Sequence, residues 1–104
     1  MQLLVVRHAI AEDREEFART GADDSLRPLT PEGRRRMRRA ARGLRRLVPR
    51  LGLLASSPLT RAAQTAQILA EAYGGTETAT FPELEPGSHP AALVDRLRGV
   101  DADP

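Results

Sequence analysis

Three short apolar runs alternate with longer amphipathic segments along the chain. The runs Gln2–Val6, Leu51–Ala55 and Thr76–Phe81 have the length and composition of strands. The first run shows no alternation of apolar and polar residues, which is typical of a strand buried on both faces. The last run alternates Thr and Glu with other residues, so we predict that this strand is more exposed than the other two.

The segment after Leu29 carries strong signals for a helix. Thr30 is a favourable N-cap, Pro31 suits the first helical position, and Glu32 places an acid in the first turn. The helix should continue to about Val48. Its predicted buried face contains Met37, Ala40, Ala41, Leu44, Leu47 and Val48.

Two further helices are predicted after the second and third strands. Ser56-Ser57-Pro58 repeats the N-cap and first-position signals, and Gly74-Gly75 ends that helix. Ala91–Arg98 forms a last short helix that Gly99 caps. The predicted buried stripe of the middle helix consists of Leu59, Ala62, Ala63, Ala66, Leu69, Ala70 and Tyr73.

The order of elements predicts the fold class. Strands and helices alternate three times, which favours an α/β protein with a parallel sheet. A chain of 104 residues has room for one domain, spanning residues 1–104. No apolar run is long enough to cross a bilayer, and Arg7 interrupts the first run before it could serve as a signal peptide. We therefore predict a cytoplasmic protein without a membrane partner.

Composition narrows the chemistry that the chain can perform. The absence of Cys excludes disulfides and thiolate metal sites, and two His are too few for a convincing zinc cluster. We expect neither a metal nor another cofactor.

The basic residues are unevenly distributed. All sixteen are Arg, and ten of them lie between Gly33 and Ala70, where there is no acidic residue. Such a block attracts polyanions or acidic proteins. No aromatic residue interleaves with these Arg and no nucleic-acid motif is present, so an acidic protein is the favoured partner over nucleic acid.

Candidate chemistry lies at the carboxyl ends of the first two strands. Arg7 and His8 follow the first strand directly, and Arg61 lies in the first turn after the second. With the helix amino terminus at Ser57, these groups could converge on one anion, for which a phosphoryl group is well suited. Nearby Arg cations would favour the neutral, nucleophilic form of His8. Taken alone, Arg7 and His8 fit a surface Arg and a packed His better than a functional site.

Four segments together resemble the histidine phosphatase superfamily, and their order and spacing resemble its small bacterial branch, the SixA-type phosphohistidine phosphatases. These segments are LLVVRHA at residues 3–9, LRPLTPEG at 26–33, SSPLTRAAQTA at 56–66 and PEL at 82–84. The resemblance covers nearly the whole chain.

The resemblance implies roles for particular residues. His8 would be the residue that becomes phosphorylated, Arg7 and Arg61 would bind the phosphoryl group, and Arg27 would lie near the phosphate pocket. The implied fold is a three-layer α/β/α sandwich of the phosphoglycerate-mutase type, with no metal or organic cofactor. The implied activity is hydrolysis of phosphohistidine on a phosphotransfer protein, or of a small phosphoester, with release of inorganic phosphate.

Two departures from the family pattern affect these expectations. Ala9 stands where the family usually has Gly. The family's second catalytic His follows a fourth strand, and no such segment occurs before Pro104. We therefore expect the domain to be incomplete and the exposed sheet edge to favour self-association. The only other His, His89, is expected to be solvated or to cap a helix.

The general acid remains open at this stage. Glu83 follows the third strand, roughly where larger relatives place a proton-donating Glu, but an exposed loop Glu is equally common. Glu12 and Asp13 could face the substrate, although a solvated loop suits them better. The alternative to an enzyme is a non-catalytic remnant that binds phosphate or an acidic partner.

Overall fold

The computed structural model describes residues 8–102, with side-chain burial for residues 8–98. The predicted first strand, Gln2–Val6, lies outside the described residues. The helices are α1 (Arg14–Ala18), α2 (Pro31–Leu47), α3 (Thr60–Ala72) and α4 (Pro90–Ala102), the strands are β1 (Leu54–Ser56) and β2 (Thr78–Thr80), and single 3-10 turns span Asp24–Leu26 and Pro82–Leu84.

The strands β1 and β2 pair in parallel, which confirms the predicted α/β class. Leu54 lies opposite Thr78, and the backbone N–H of Phe81 extends the ladder by donating to the Ser56 carbonyl at 2.8 Å. Both strands are shorter than predicted, because their pairing covers only three residues of each, and Leu53, just before β1, is exposed. As predicted for the third run, β2 is largely exposed.

Helix α2 confirms the signals at its start. The Thr30 hydroxyl accepts from the backbone N–H of Gly33 at 2.9 Å, and Pro31 occupies the first turn. The helix buries a narrower stripe than predicted, because it packs mainly on one neighbour, α3. Met37 and Ala41 are buried, whereas the predicted core positions Ala40 and Leu47 are exposed, the latter to 83%.

Helix α3 begins later than predicted. Its N-cap is Leu59, and Ser57 only accepts a long 3.4 Å hydrogen bond from the Leu59 N–H. Residues 57–59 are needed to turn the chain out of β1, so the Ser-Pro signal marks this turn and not the helix start itself. The buried residues of α3 are Arg61, Thr65, Ala66, Ile68, Leu69 and Ala70, while the predicted core residue Ala63 is exposed.

Gly residues predict the C-terminal ends of α3 and α4, and the structure confirms only the first of these predictions. Gly74 and Gly75, with φ of 82° and 91°, end α3 as predicted, and the Gly75 N–H donates to the Ala70 carbonyl at 2.8 Å. The prediction that Gly99 caps α4 is wrong, because α4 continues to Ala102. A helix interior tolerates Gly at a cost of roughly 1 kcal/mol.

His89 caps the start of α4, since its Nδ1 accepts from the Ala91 N–H at 3.1 Å.

The core joins α2 and α3 to the loop that precedes α2. It is formed by Leu29, Met37, Ala41, Ile68 and Leu69. Residues 10–12 run antiparallel to residues 28–30, with the N–H of Glu12 donating to Pro28 and that of Thr30 to Ile10, at 2.9 and 3.0 Å. The segment that follows His8 is therefore fastened beside the start of α2.

None of the helices within residues 8–102 combines the length and the apolar character needed to cross a membrane.

The close approach of Ile10 to Gly33 generates a prediction about stability. A Cβ on Gly33 would collide with the Ile10 backbone carbonyl, so Gly33→Ala should lower the free energy of unfolding by roughly 1–3 kcal/mol. Gly43 lies on the same helix with open space around it, and Gly43→Ala should raise stability by roughly 0.5–1 kcal/mol through helix propensity. Urea unfolding of both variants measures the difference, and equal effects would contradict the packing argument.

Candidate active site

His8 is exposed and its ring is oriented by the backbone. Its Nδ1 lies 2.8 Å from the Ala9 carbonyl oxygen. A carbonyl can only accept, so Nδ1 carries the hydrogen and the neutral ring keeps its lone pair on Nε2. His8 lines a cleft of about 350 Å³ together with Ser57 and Leu59. The imidazole thus presents a nucleophilic nitrogen away from its backbone anchor.

Thr65 links the segment after His8 to α3. Its hydroxyl accepts from the Ala9 N–H at 3.0 Å and donates to the Arg61 carbonyl at 2.8 Å. Thr65 is buried, so both hydrogen bonds are shielded from water. One side chain therefore ties the residue next to His8 to the backbone of Arg61.

Arg61 is buried and held at one end. Its NH1 atom donates to the Asp24 carbonyl at 3.1 Å and lies 3.4 Å from the Asp24 carboxylate. Arg61 lines a second cleft of about 670 Å³, which also contains Phe17 and Arg14. The two clefts share Leu59 and Pro86, so they are neighbours at one edge of the molecule.

The start of α3 lies between these clefts. Its N-cap, Leu59, has no side-chain oxygen to accept from the first backbone N–H groups. Such an end favours an anion, both through its N–H groups and through the helix dipole. Ser57 is buried just before this point and lines the same cleft as His8.

Arg27 is also buried, and two of its three side-chain nitrogens donate to neighbouring groups. Its Nε donates to the Asp24 carboxylate and its NH1 to the Glu12 carbonyl, each at 2.8 Å. Arg27 lines neither of the two clefts described above. The Arg27 hydrogen bond is the main cause that holds the pKa of Asp24 below its usual value, with the charges of Arg27 and Arg61 adding to it.

Glu83 forms an ion pair instead of facing either cleft. Arg96 donates to its carboxylate at 3.0 Å and lies over the Phe81 ring at 4.7 Å. The Glu83 backbone N–H and the Arg96 guanidinium hold the pKa of Glu83 below its usual value. This environment favours the ionised carboxylate, which cannot donate a proton.

The structure thus brings together some of the predicted site residues. His8 and Ser57 share one cleft, and Arg61 lines the adjacent one, whereas Arg7 lies outside the described residues. Asp13 caps α1 by accepting from the Glu16 N–H, and the side chain of Glu12 lies in solvent. Within residues 8–102, no group of three or more His, Asp or Glu could hold a metal ion.

Sequence reasoning missed Asp24, Gln64 and Thr65. Gln64 accepts from the Leu29 N–H at 2.8 Å and so fastens the loop before α2 to α3. Thr65 could have been found, because a residue four positions after Arg61 lies on the same helix face. Asp24 carries no local signal, since its partners come from the following loop and from α3.

The parallel pairing of β1 and β2, with an exposed His and a buried Arg lining neighbouring clefts, is typical of an α/β protein of the phosphoglycerate-mutase-like fold. The model of the histidine phosphatase superfamily (branch 1) matches residues 3–87. The chain belongs to the histidine phosphatase superfamily.

Solved structures agree with this assignment. The protein histidine phosphatase SixA complexed with tungstate is 26% identical with a TM-score of 0.74, over 89% of this chain and 56% of that one. A SixA candidate from Agrobacterium tumefaciens has a TM-score of 0.73 over 89% of this chain and 57% of its own; at 22% identity it supports the fold alone.

A relative from Picosynechococcus sp. is an uncharacterized protein. It is 38% identical over 104 residues, which are all of this chain and 61% of that protein. The chain therefore spans between half and two thirds of the length of each of these three proteins.

The Thr65 hydroxyl should be required for the connection between His8 and α3. Thr65→Val leaves the Ala9 N–H and the Arg61 carbonyl without this partner, which should cost about 1–3 kcal/mol and accelerate hydrogen exchange of the Ala9 amide. Thr65→Ser is the matched control, because it keeps the hydroxyl. If the Val and Ser variants had the same stability and the same Ala9 exchange rate, the link would be unimportant.

Proposed function

We propose that the protein is a phosphatase in which His8 is the nucleophile. The observation that carries the proposal is the hydrogen bond from His8 Nδ1 to the Ala9 carbonyl, which leaves Nε2 as the nitrogen with the lone pair. Membership of the histidine phosphatase superfamily supports the same reading.

The reaction has two displacement steps. In the first, His8 Nε2 attacks phosphorus, the bond between phosphorus and the leaving group breaks, and the leaving group gains a proton. In the second, water attacks the phosphohistidine, inorganic phosphate leaves, and Nε2 recovers its electron pair. Both steps pass through transition states that carry spread negative charge on the phosphoryl oxygens.

Cationic and N–H groups stabilise that charge. We assign Arg61 and the amino end of α3 to the equatorial oxygens, with Ser57 at the rim of the His8 cleft. Arg7 has the same role by resemblance and stays a prediction. Arg27 supports the pocket through Asp24, because its Nε and NH1 donate to Asp24 and Glu12 and it lines neither cleft. This arrangement works without a metal or organic cofactor.

Glu83 is not assigned as the proton donor. Its ion pair with Arg96 favours the ionised form at neutral pH. A phosphohistidine substrate needs little help, because a protonated imidazole is a good leaving group. Solvent that reaches the exposed His8 supplies the proton.

The favoured substrate is phosphohistidine on a protein, with a small phosphoester as the alternative. Similarity to the protein histidine phosphatase SixA supports the first. An exposed nucleophile in an open cleft is also accessible to a phosphorylated side chain on a folded partner.

A labelling experiment tests the covalent intermediate. Wild type mixed with a 32P-labelled phosphodonor and quenched in alkali should carry label that is lost in acid, as a phosphoramidate is. His8→Ala should carry no label, whereas His89→Ala should label like wild type, because His89 caps α4. Label that survives His8→Ala would show that another residue is the nucleophile. Phosphate binding without any label would instead support a non-catalytic, phosphate-binding domain.

The basic face of α2 supports a protein partner. With successive residues about 100° apart, seven of its Arg lie on one flank of the helix, beside the buried stripe. Arg36 lies on the opposite flank and pairs with Glu32 at 2.9 Å. The flank begins one turn after Thr30, which bonds to Ile10, two residues beyond His8. The Arg of the flank are Arg34, Arg35, Arg38, Arg39, Arg42, Arg45 and Arg46.

This flank is complementary to an acidic surface on a phosphorylated protein. The double variant Arg38→Gln/Arg42→Gln should raise KM for a phosphohistidine-bearing four-helix phosphotransfer domain by roughly threefold to tenfold, and 0.5 M salt should abolish the difference. Turnover of a small phosphoester should be unchanged.

Arg36→Gln is the matched control, since it removes one Arg of the same helix from the other flank. Because the double variant removes two charges, Arg36→Gln is compared with each of the single variants Arg38→Gln and Arg42→Gln. An equal effect of all three single variants on KM would show that only net charge matters. Tighter binding to single-stranded RNA than to the acidic phosphoprotein, lost in the double variant, would identify the flank as a nucleic-acid surface.

A further inference from the structure

Asp24 contacts both buried arginines of the region around the site. Its two carboxylate oxygens lie 2.8 Å from Arg27 Nε and 3.4 Å from Arg61 NH1, and its carbonyl accepts from Arg61 NH1 at 3.1 Å. The same carbonyl accepts from the Arg27 N–H at 3.0 Å, which fixes Asp24 in a tight turn. A single residue thus connects two guanidiniums that are far apart in the sequence.

Burial makes this connection energetically necessary. The exposed fractions of Arg27 and Arg61 are 8% and 7%, and a buried guanidinium is stable only when a carboxylate or carbonyls compensate its lost hydration. One carboxylate shared by two guanidiniums leaves the group with a net positive charge. The group is therefore compensated and can still attract an anion.

The contacts of Arg61 are confined to one of its nitrogens. Among the described residues, every hydrogen bond and ion pair of its side chain goes through NH1 to Asp24. Holding one end of a planar guanidinium fixes the direction of the other end. The remaining donors, Nε and NH2, are therefore the ones available for the phosphoryl oxygens to which the proposed function assigns Arg61.

We propose that Asp24 is a positioning residue for the oxyanion site: it holds Arg61 by NH1 so that Nε and NH2 point toward the phosphoryl group. The inference rests on the proposed function, and it assigns to Asp24 no contact with the substrate.

A competing role for Asp24, in which its carboxylate blocks the anion site, predicts a different result. If the Asp24 carboxylate merely occupied the anion position on Arg61, any variant without the carboxylate would bind oxyanions more tightly. A positioning residue behaves otherwise. Loss of its carboxylate removes the hydrogen bond to Arg27 Nε and the ion pair with Arg61 NH1, which weakens anion binding, whereas the amide of Asn keeps one of these two acceptors.

Calorimetric titration with tungstate, and separately with inorganic phosphate, distinguishes the two roles. We expect Asp24→Ala to weaken binding on the order of tenfold and the affinity of Asp24→Asn to lie between those of Asp24→Ala and wild type. Asp23→Asn is the matched control, because Asp23 lines the same cleft but accepts from Ser25 instead of an Arg. Asp23→Asn should bind tungstate and phosphate as tightly as wild type does, which would exclude a general effect of negative charge in the cleft.

The outcomes separate this inference from the proposed function. If wild type binds no oxyanion, or if Arg61→Ala binds as wild type does, the proposed site is wrong and the role of Asp24 is wrong with it. If Arg61→Ala loses binding while Asp24→Ala binds as well as or better than wild type, only the positioning role is overturned.

Asp24→Ala could unfold the protein by leaving two buried guanidiniums without their carboxylate. Asp24→Glu then provides the test, because it keeps the charge and displaces the acceptor by one methylene. Positioning predicts weaker tungstate binding by Asp24→Glu than by wild type. Unchanged binding would overturn it.

Discussion

The Ile10 carbonyl lies where a side chain on residue 33 would begin, and much of the described structure depends on that contact. Because Gly33 has no Cβ, the segment after His8 can lie directly against α2 and accept the Thr30 N–H. The same pairing carries Leu29 into the core. A loop that would otherwise be free to move becomes part of the wall that holds the candidate nucleophile.

The features that can be predicted from the sequence are those set by neighbouring residues, such as the ends of helices. Thr30, Pro31 and Gly74 fix helix ends through contacts within a few residues, so α2 and the end of α3 were predicted correctly. The order of strands and helices predicts that His8 and Ser57 lie close together, and the two residues line one cleft. Leu47 was misplaced because burial depends on which neighbour a helix meets, and that neighbour is remote in sequence.

The electrostatics of the candidate site could not be predicted for the same reason. Whether Glu83 donates a proton depends on Arg96, thirteen residues later, and whether Arg27 faces a phosphate depends on Asp24 and Glu12. Each of these pairings joins a loop to another element through a long side chain. Composition showed the uneven distribution of Arg, but only the fold separates the buried, compensated Arg from those on the flank of α2.

The hydroxyl of Thr65 has a mechanical consequence. Since it binds the backbone on both sides, thermal displacement of α3 carries the peptide next to His8 and the peptide of Arg61 in the same direction. Shared motion of this kind alters the separation of two groups less than it alters the position of either. A small domain with a thin core can in this way keep the backbone beside His8 and that of Arg61 in register while α3 fluctuates.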